Sequence, residues 1–182
     1  MPTLPTLLHL FHCLHLPTTL LLSLQTLLPA AYTHLIPPFV ASSLQFWSDL
    51  SGDPFLVPVE QQVGWVKTVL VTECVVVAPY LIWAVMKGKD ALAWRTPTSA
   101  TTSSTSTYTA HPLTLVYLSH SATTSLLLTA DLLLNPAHAF KAGQRWMAVG
   151  AYAPFVVVPV AFIVALSRGA GRERREGKVK RV

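Results

Sequence analysis

Residues 66–86 read VKTVLVTECVVVAPYLIWAVM, an almost unbroken apolar run. This run is long enough for a helix that crosses a bilayer, which takes about 20 mostly apolar residues. Three further stretches have the same character, at residues 7–28, 112–134 and 147–166. The pattern predicts an all-α membrane protein, a four-transmembrane-helix bundle that occupies residues 1–168.

The composition agrees with a membrane protein. Of the 182 residues, 52% are hydrophobic and 12% are charged, whereas an average soluble domain has about 25% charged residues. This excludes a disordered chain and disfavours an ordinary soluble domain. Cys13 and Cys74 lie inside apolar runs and are too few for a disulfide scaffold. His9, His12 and His15 recur every three residues without a carboxylate partner, so we expect no metal site and no cofactor.

The basic residues predict the orientation. Seven of the thirteen Lys and Arg lie between residues 168 and 181, which points to a membrane face rather than to nucleic acid. The positive-inside rule then puts both termini in the cytosol, together with a Ser/Thr-rich insertion at 98–110 and a basic tail at 169–182. Lys178 and Lys180 match the Lys-x-Lys-x-x retrieval signal that coat proteins read, which indicates the endoplasmic reticulum. Alternatively, the tail acts only as a positive-inside determinant.

Polar groups inside the spans are the candidate site. Glu73 lies deep in the second span, where a carboxylate must be neutral, paired or facing a cavity. The alternative is a protonated Glu73 that only ties helices together. In the third span, an interior-facing polar stripe is predicted, because its members fall within about 60° on a helical wheel. The stripe consists of Tyr117, His120, Thr124 and Asp131. Asp131 lies near the lumenal end of the span, and the simpler interpretation, a solvated carboxylate, is slightly favoured for it.

Prolines predict kinks in three of the four spans, because proline removes a backbone hydrogen bond. These residues are Pro17, Pro79, Pro154 and Pro159. Bent helices around Glu73 favour a pocket for an apolar ligand with one polar handle. The connection from residue 30 to residue 64 is long, and its part at 39–47 predicts a short amphipathic helix over the mouth of the bundle.

Several short motifs carry a family resemblance. They are Leu16-Pro17, Asp53-Pro54, Trp65-Val66-Lys67, Glu73 with Pro79-Tyr80, Trp94-Arg95-Thr96-Pro97 and Tyr152-Ala153-Pro154-Phe155. In combination they resemble the sigma-2 receptor/transmembrane protein 97 family. That family is part of the EXPERA group, which includes the emopamil-binding sterol isomerases. Fungal relatives are named efficient mitochondria targeting-associated proteins.

The resemblance implies a four-helix bundle of the endoplasmic reticulum, often dimeric among membrane lipids, that binds a sterol or a lipophilic amine. It assigns Glu73, Asp53, Thr124 and Tyr152 to the pocket, and we add His120, Tyr117 and Ser23 as candidates. The family carries a first-span carboxylate that pairs with the second-span glutamate to hold the amine, and this position falls on Ser23 here. We therefore expect neutral sterol binding to be favoured over amine binding.

Three functions follow from these observations. We expect a sterol-binding protein of lipid handling or trafficking rather than an enzyme. A sterol double-bond isomerase is the first alternative. It needs two acid–base groups positioned at the reacting carbons, and the sequence provides only Glu73 and His120 as candidates. The second alternative is an interaction factor at the surface of the endoplasmic reticulum that assists delivery of mitochondrial precursors through the tail and the Ser/Thr-rich loop.

Overall fold

A computed structural model describes residues 3–88, 93–95 and 108–179. Five helices dominate them, numbered here in chain order. They are α1 (Leu4–Leu27), α2 (Pro38–Ser51), α3 (Gly64–Lys87), α4 (Pro112–Leu134) and α5 (Gln144–Val179). A 3₁₀ helix at Ala30–Leu35 joins α1 to α2, and two three-residue strands, β1 (Ala93–Arg95) and β2 (Tyr108–Ala110), pair antiparallel with Trp94 opposite Thr109. The all-helical membrane fold is confirmed apart from this short ladder.

Three helices in the described part of the chain are long and apolar enough to cross a membrane: α1, α3 and the segment Gln144–Ser167 of α5. The stretch predicted as the third span is the 23-residue helix α4, which packs along α5. Its serines, threonines and histidine keep its mean hydropathy below that of the other three, so a fourth span stays a prediction.

The prolines lie within continuous helices. Each of the first two spanning helices contains one π-helical turn near its proline, Thr19–Ser23 in α1 and Glu73–Val77 in α3. In the second turn the Ala78 N–H bonds to the Glu73 carbonyl, five residues back. Such turns are typical of functional sites in helices. The predicted kinks themselves stay a prediction.

The helices pack around two apolar clusters. One contains Leu8, Phe11, Val77, Leu81, Ala84, Tyr117, Leu118 and Phe162. The other contains Phe55, Val66, Leu70, Leu128, Leu132 and Ala148. Because lipid is as apolar as these side chains, their contribution to helix association comes from close packing rather than from the hydrophobic effect. The second cluster provides walls of the candidate site described below.

The predicted amphipathic helix at 39–47 is found, slightly longer, as α2. Its N-terminal Pro38 occupies a position that favours helix initiation, and Gly52 ends it in the left-handed conformation at φ +61°. Gln144 at the start of α5 donates to the Asp49 carbonyl at 3.2 Å. This contact fixes the end of α2 against α5 and positions Asp53, which follows at once in the chain.

The predicted insertion at 98–110 lies outside the described residues, except that its end forms β2. The predicted tail begins as a continuation of the α5 backbone to Val179. Lys178 is within that backbone, whereas Lys180 lies outside the described residues.

Candidate functional site: a cavity around Glu73

All five helices contribute to a partly enclosed cavity of about 280 Å³. Most of its walls are apolar, as is usual for small-molecule sites. Its polar and ionisable lining is His15, Thr18, Thr19, Ser23, Trp47, Asp53, Glu73, Ser125 and Tyr152. Four of the seven predicted ligand-binding residues are therefore together: Glu73, Asp53, Tyr152 and Ser23.

Glu73 is half-buried in this cavity. The Ser23 hydroxyl donates to its Oε2 at 2.9 Å. Ser23 ends the π-helical turn of α1 and Glu73 begins that of α3, so the bond joins the two irregular turns. Among the described residues, Ser23 is the only side chain that hydrogen-bonds this carboxyl, which leaves Oε1 for a ligand.

Asp53 is buried at the edge of the same cavity and has more partners than Glu73. The Tyr152 hydroxyl donates to its Oδ2 at 2.8 Å, and the Phe55 N–H donates to its Oδ1 at 3.0 Å. Burial raises the pKa of Asp53 above its ordinary value of 3.8, and the hydrogen bonds from Phe55, Tyr152 and Trp47 partly oppose that rise. Asp53 thus connects α2, α5 and the loop that follows α2 at the cavity wall.

His15 is a cavity residue that sequence reasoning missed. It is 7% exposed, and its Nδ1 lies 2.6 Å from the Tyr117 hydroxyl oxygen. His15, Thr19 and Ser23 are four residues apart and line the cavity together. This spacing was the available signal, because residues at i and i+4 share a helix face.

Tyr117 and His120 lie elsewhere. Both line a second, apolar groove of about 520 Å³ between α3 and α4, together with Tyr80 and Trp83. Tyr117 reaches the cavity only through its contact with His15. Glu73 and His120, the two groups that the isomerase alternative would use, therefore line different pockets.

Thr124 is buried, but its hydroxyl donates to the His120 carbonyl of its own helix at 2.9 Å. The neighbouring Ser125 lines the cavity instead. Asp131 is partly exposed near the end of α4, as the simpler interpretation expects, and its Oδ2 lies 2.5 Å from His138 Nε2. The buried face of α4 is Thr114, Tyr117, Leu118, Ser121, Thr124, Ser125, Leu128 and Leu132.

The histidines of α1 support packing. The Tyr80 hydroxyl lies 3.3 Å from His12 Nε2, and the rings of Tyr80 and Tyr117 stack at 4.8 Å. Within the described part of the chain, no group of three or more His, Cys, Asp or Glu side chains could hold a metal ion.

The helices and the cavity define a class: a helical membrane protein with a mostly apolar internal cavity that presents two carboxyl groups. The family model for EXPERA, the expanded EBP superfamily, matches residues 39–166. The chain belongs to this family. The match begins in α2, so α1 and the assignment of the family's first carboxylate to Ser23 lie outside it.

Proposed function

We propose that the protein binds a sterol, or a similar lipophilic molecule with one hydroxyl group, in the Glu73 cavity and acts in sterol or lipid handling. The observation that carries the proposal is the half-buried Glu73 carboxyl, which has one hydrogen-bonding side chain among the described residues and lies in a cavity with mostly apolar walls. A hydrogen bond from or to the ligand hydroxyl would satisfy its second oxygen.

The cavity volume limits how the ligand is seated. At about 280 Å³ it lies just below the range of about 300–1,000 Å³ for small-molecule pockets. The cavity therefore suits the hydroxyl-bearing end of a sterol, with the remainder of the molecule extending between helices towards lipid.

The proposal includes the membrane topology. Helix α4 has 23 residues, so it is about 35 Å long at about 1.5 Å per residue and can cross a bilayer beside α5. Four spans put both termini on one side. The excess of basic residues assigns that side to the cytosol, and Lys178 and Lys180 support retrieval to the endoplasmic reticulum.

The test is sterol binding to the purified full-length protein. A radiolabelled sterol is titrated into wild type, Glu73→Gln and the matched control Glu60→Gln, whose carboxyl is in an exposed loop. We expect Glu73→Gln to lower affinity by about tenfold, the effect of one hydrogen bond to a charged or buried partner, and Glu60→Gln to leave it unchanged. No saturable binding to wild type, or equal affinity of wild type and Glu73→Gln, would overturn the proposal.

A sterol double-bond isomerase is the second candidate, and one arrangement favours it. Besides Glu73, the cavity contains a second carboxyl, Asp53, and an imidazole, His15. An isomerase adds a proton to one alkene carbon and removes another from a nearby carbon, so it needs two such groups. Incubation of an unsaturated sterol in D₂O separates the candidates: turnover incorporates deuterium and moves the double bond, whereas a binding protein returns the sterol unchanged.

Delivery of mitochondrial precursors is a third, compatible role of the tail. Deletion of the chain from Gly169 onward should abolish such a role and leave sterol affinity unchanged. Glu73→Gln should lower sterol affinity and leave precursor delivery unchanged.

A further inference from the structure

A third concave site, distinct from the groove beside Tyr117 and His120, lies on the outside of the bundle, where α3 begins and α4 ends. It is a groove of about 570 Å³, and none of its lining residues lines the Glu73 cavity. The lining consists of Trp65, Leu127, Ala130, Asp131, Leu134 and Asn135. These side chains combine an aromatic ring, a carboxylate and an apolar track.

The carboxylate of Asp131 is fixed in position but still open to the groove. Its Oδ2 contacts His138 Nε2 at 2.5 Å, and its Oδ1 accepts from Asn135 Nδ2 at 3.2 Å. His138 is held edge-on between Phe55 and Phe140. About 25% of the Asp131 side chain remains exposed, and in the described chain no lysine or arginine lines the groove.

The end of α4 adds negative potential at the same place. The helix ends at Leu134, and the Asn135 N–H bonds to the Asp131 carbonyl. The last carbonyls of a helix carry a partial negative charge that favours cations within the final turn. Two independent features, the carboxylate and the helix end, therefore favour a cation.

Trp65 supplies the third feature. Its ring packs at 68° against the buried Phe55 ring, with centroids 5.9 Å apart, and 38% of the residue is exposed. A tryptophan face is the best aromatic partner for an ammonium group, and aromatic side chains with this role recognise quaternary ammonium ligands.

The apolar track identifies what is attached to the cation. Leu127, Ala130 and Leu134 follow one another along one face of α4 at spacings of three and four residues. Leu127 is 53% exposed and Leu134 is 80% exposed. The short side chain of Ala130 leaves room between them for a chain that runs along the helix.

From this arrangement we propose that the groove binds a quaternary ammonium group carried on an apolar tail. The Trp65 ring and the Asp131 carboxylate hold the ammonium group, and the track from Leu127 to Leu134 holds the tail. A choline phospholipid of the bilayer and a free amphiphilic ammonium ion share this chemistry. The site is independent of the sterol site proposed above.

The test is native mass spectrometry of the full-length protein in detergent. The protein is titrated with phosphatidylcholine, with phosphatidylglycerol of the same acyl chains, and with dodecyltrimethylammonium. The variants are Asp131→Asn and Trp65→Leu. Their matched controls are Asp49→Asn, an exposed carboxylate on α2, and Trp146→Leu, an exposed tryptophan at the start of α5.

We expect wild type to prefer phosphatidylcholine over phosphatidylglycerol, and each groove variant to reduce that preference about two- to fivefold, the effect of one exposed cation–π contact or ion pair. The controls should retain it. Binding of dodecyltrimethylammonium alone, weakened by the same two variants, would support the site and identify the free amphiphile as its occupant. Equal binding of both phospholipids with no ammonium binding, or equal losses in the controls, would overturn the proposal. Unchanged sterol affinity in the groove variants separates this result from failure of the sterol site.

Discussion

Ser23 and Glu73 are joined by a 2.9 Å hydrogen bond between the two π-helical turns of the bundle. A π-helical turn inserts one extra residue into a helix and displaces the side chains that follow it. Both turns are located where their helices border the cavity. The bond therefore links the two places where α1 and α3 depart from regular geometry, and it orients the carboxyl that we assign to ligand binding.

Replacement of Ser23 should change the class of ligand. In Ser23→Asp a second carboxylate faces Glu73, and a protonated lipophilic amine placed between them gains a charge-assisted hydrogen bond. Such bonds are worth about 1.5–3 kcal/mol, so we expect amine affinity to rise at least about tenfold while sterol affinity falls. Competition between a radiolabelled amine and unlabelled sterol measures both. Thr18→Asp, which adds a carboxylate elsewhere on the cavity lining, is the control, and an equal gain there would contradict a specific pair.

The Tyr152 hydroxyl should contribute to stability through Asp53. Tyr152→Phe removes the donor to Asp53 Oδ2 and leaves a buried carboxyl oxygen without that partner, which costs about 1–3 kcal/mol. We expect a clearly lower Tm of the purified protein. Tyr32→Phe, at a residue that is 53% exposed, should leave the Tm unchanged. Equal Tm values for Tyr152→Phe and wild type would mean that the bond adds nothing to stability.

Asp53 should also give stability a pH dependence. Because burial raises its folded-state pKa above the ordinary 3.8, the folded protein binds more protons than the unfolded chain between these two values. Its contribution to stability is therefore largest below pH 3.8 and is lost as the pH rises through the raised pKa. We therefore expect the difference in Tm between wild type and Asp53→Asn to decrease as the pH rises from 3.8 to the raised pKa. Above the raised pKa this difference should stay constant. A difference that does not vary with pH would show that the folded-state pKa is not raised.

The fold was largely predictable because length and hydropathy alone determine which segments can cross a bilayer. All four predicted spans are helices, and α2 was expected from residues 39–47. The cavity was only partly predictable. Glu73 stands out because a carboxylate in an apolar run is costly, whereas Asp53 and Tyr152 came from a family resemblance. No local signal pairs these two residues, since they meet only when α5 packs against the loop after α2.

Two members of the predicted stripe, Tyr117 and Thr124, lie on the buried face of α4, whereas His120 and Asp131 are only partly buried. Helical spacing places Tyr117, His120, Thr124 and Asp131 on one broad face, but local hydrogen bonds decide what each group can do. The Thr124 hydroxyl bonds to its own backbone, and Asp131 bonds to His138 in the connection that follows the helix. A helical wheel contains neither partner, so it does not show which polar groups of that face are already hydrogen-bonded within the protein.

Gly52 should be required for docking of α2 against α5. Its φ of +61° is costly for any residue with a Cβ atom, and a Cβ added there would lie 2.6 Å from the Oε1 of Gln144. Gln144 is held by the Lys141 N–H at 2.9 Å and by its own bond to the Asp49 carbonyl, so relief of the clash breaks at least one of these bonds. For Gly52→Ala we expect a loss of about 1–2 kcal/mol from the left-handed backbone and about 1 kcal/mol more from the lost hydrogen bond.

The control is Gly143→Ala, since Gly143 has a φ of +83° but open space around its Cα. It should show the backbone cost alone, so Gly52→Ala should have the lower Tm of the two. Because Asp53 follows Gly52 directly, Gly52→Ala should also weaken sterol binding, whereas Gly143→Ala should not. If the two variants lost the same stability and both kept wild-type sterol affinity, then the contact between Gly52 and Gln144 would have no role in positioning α2 or the cavity wall.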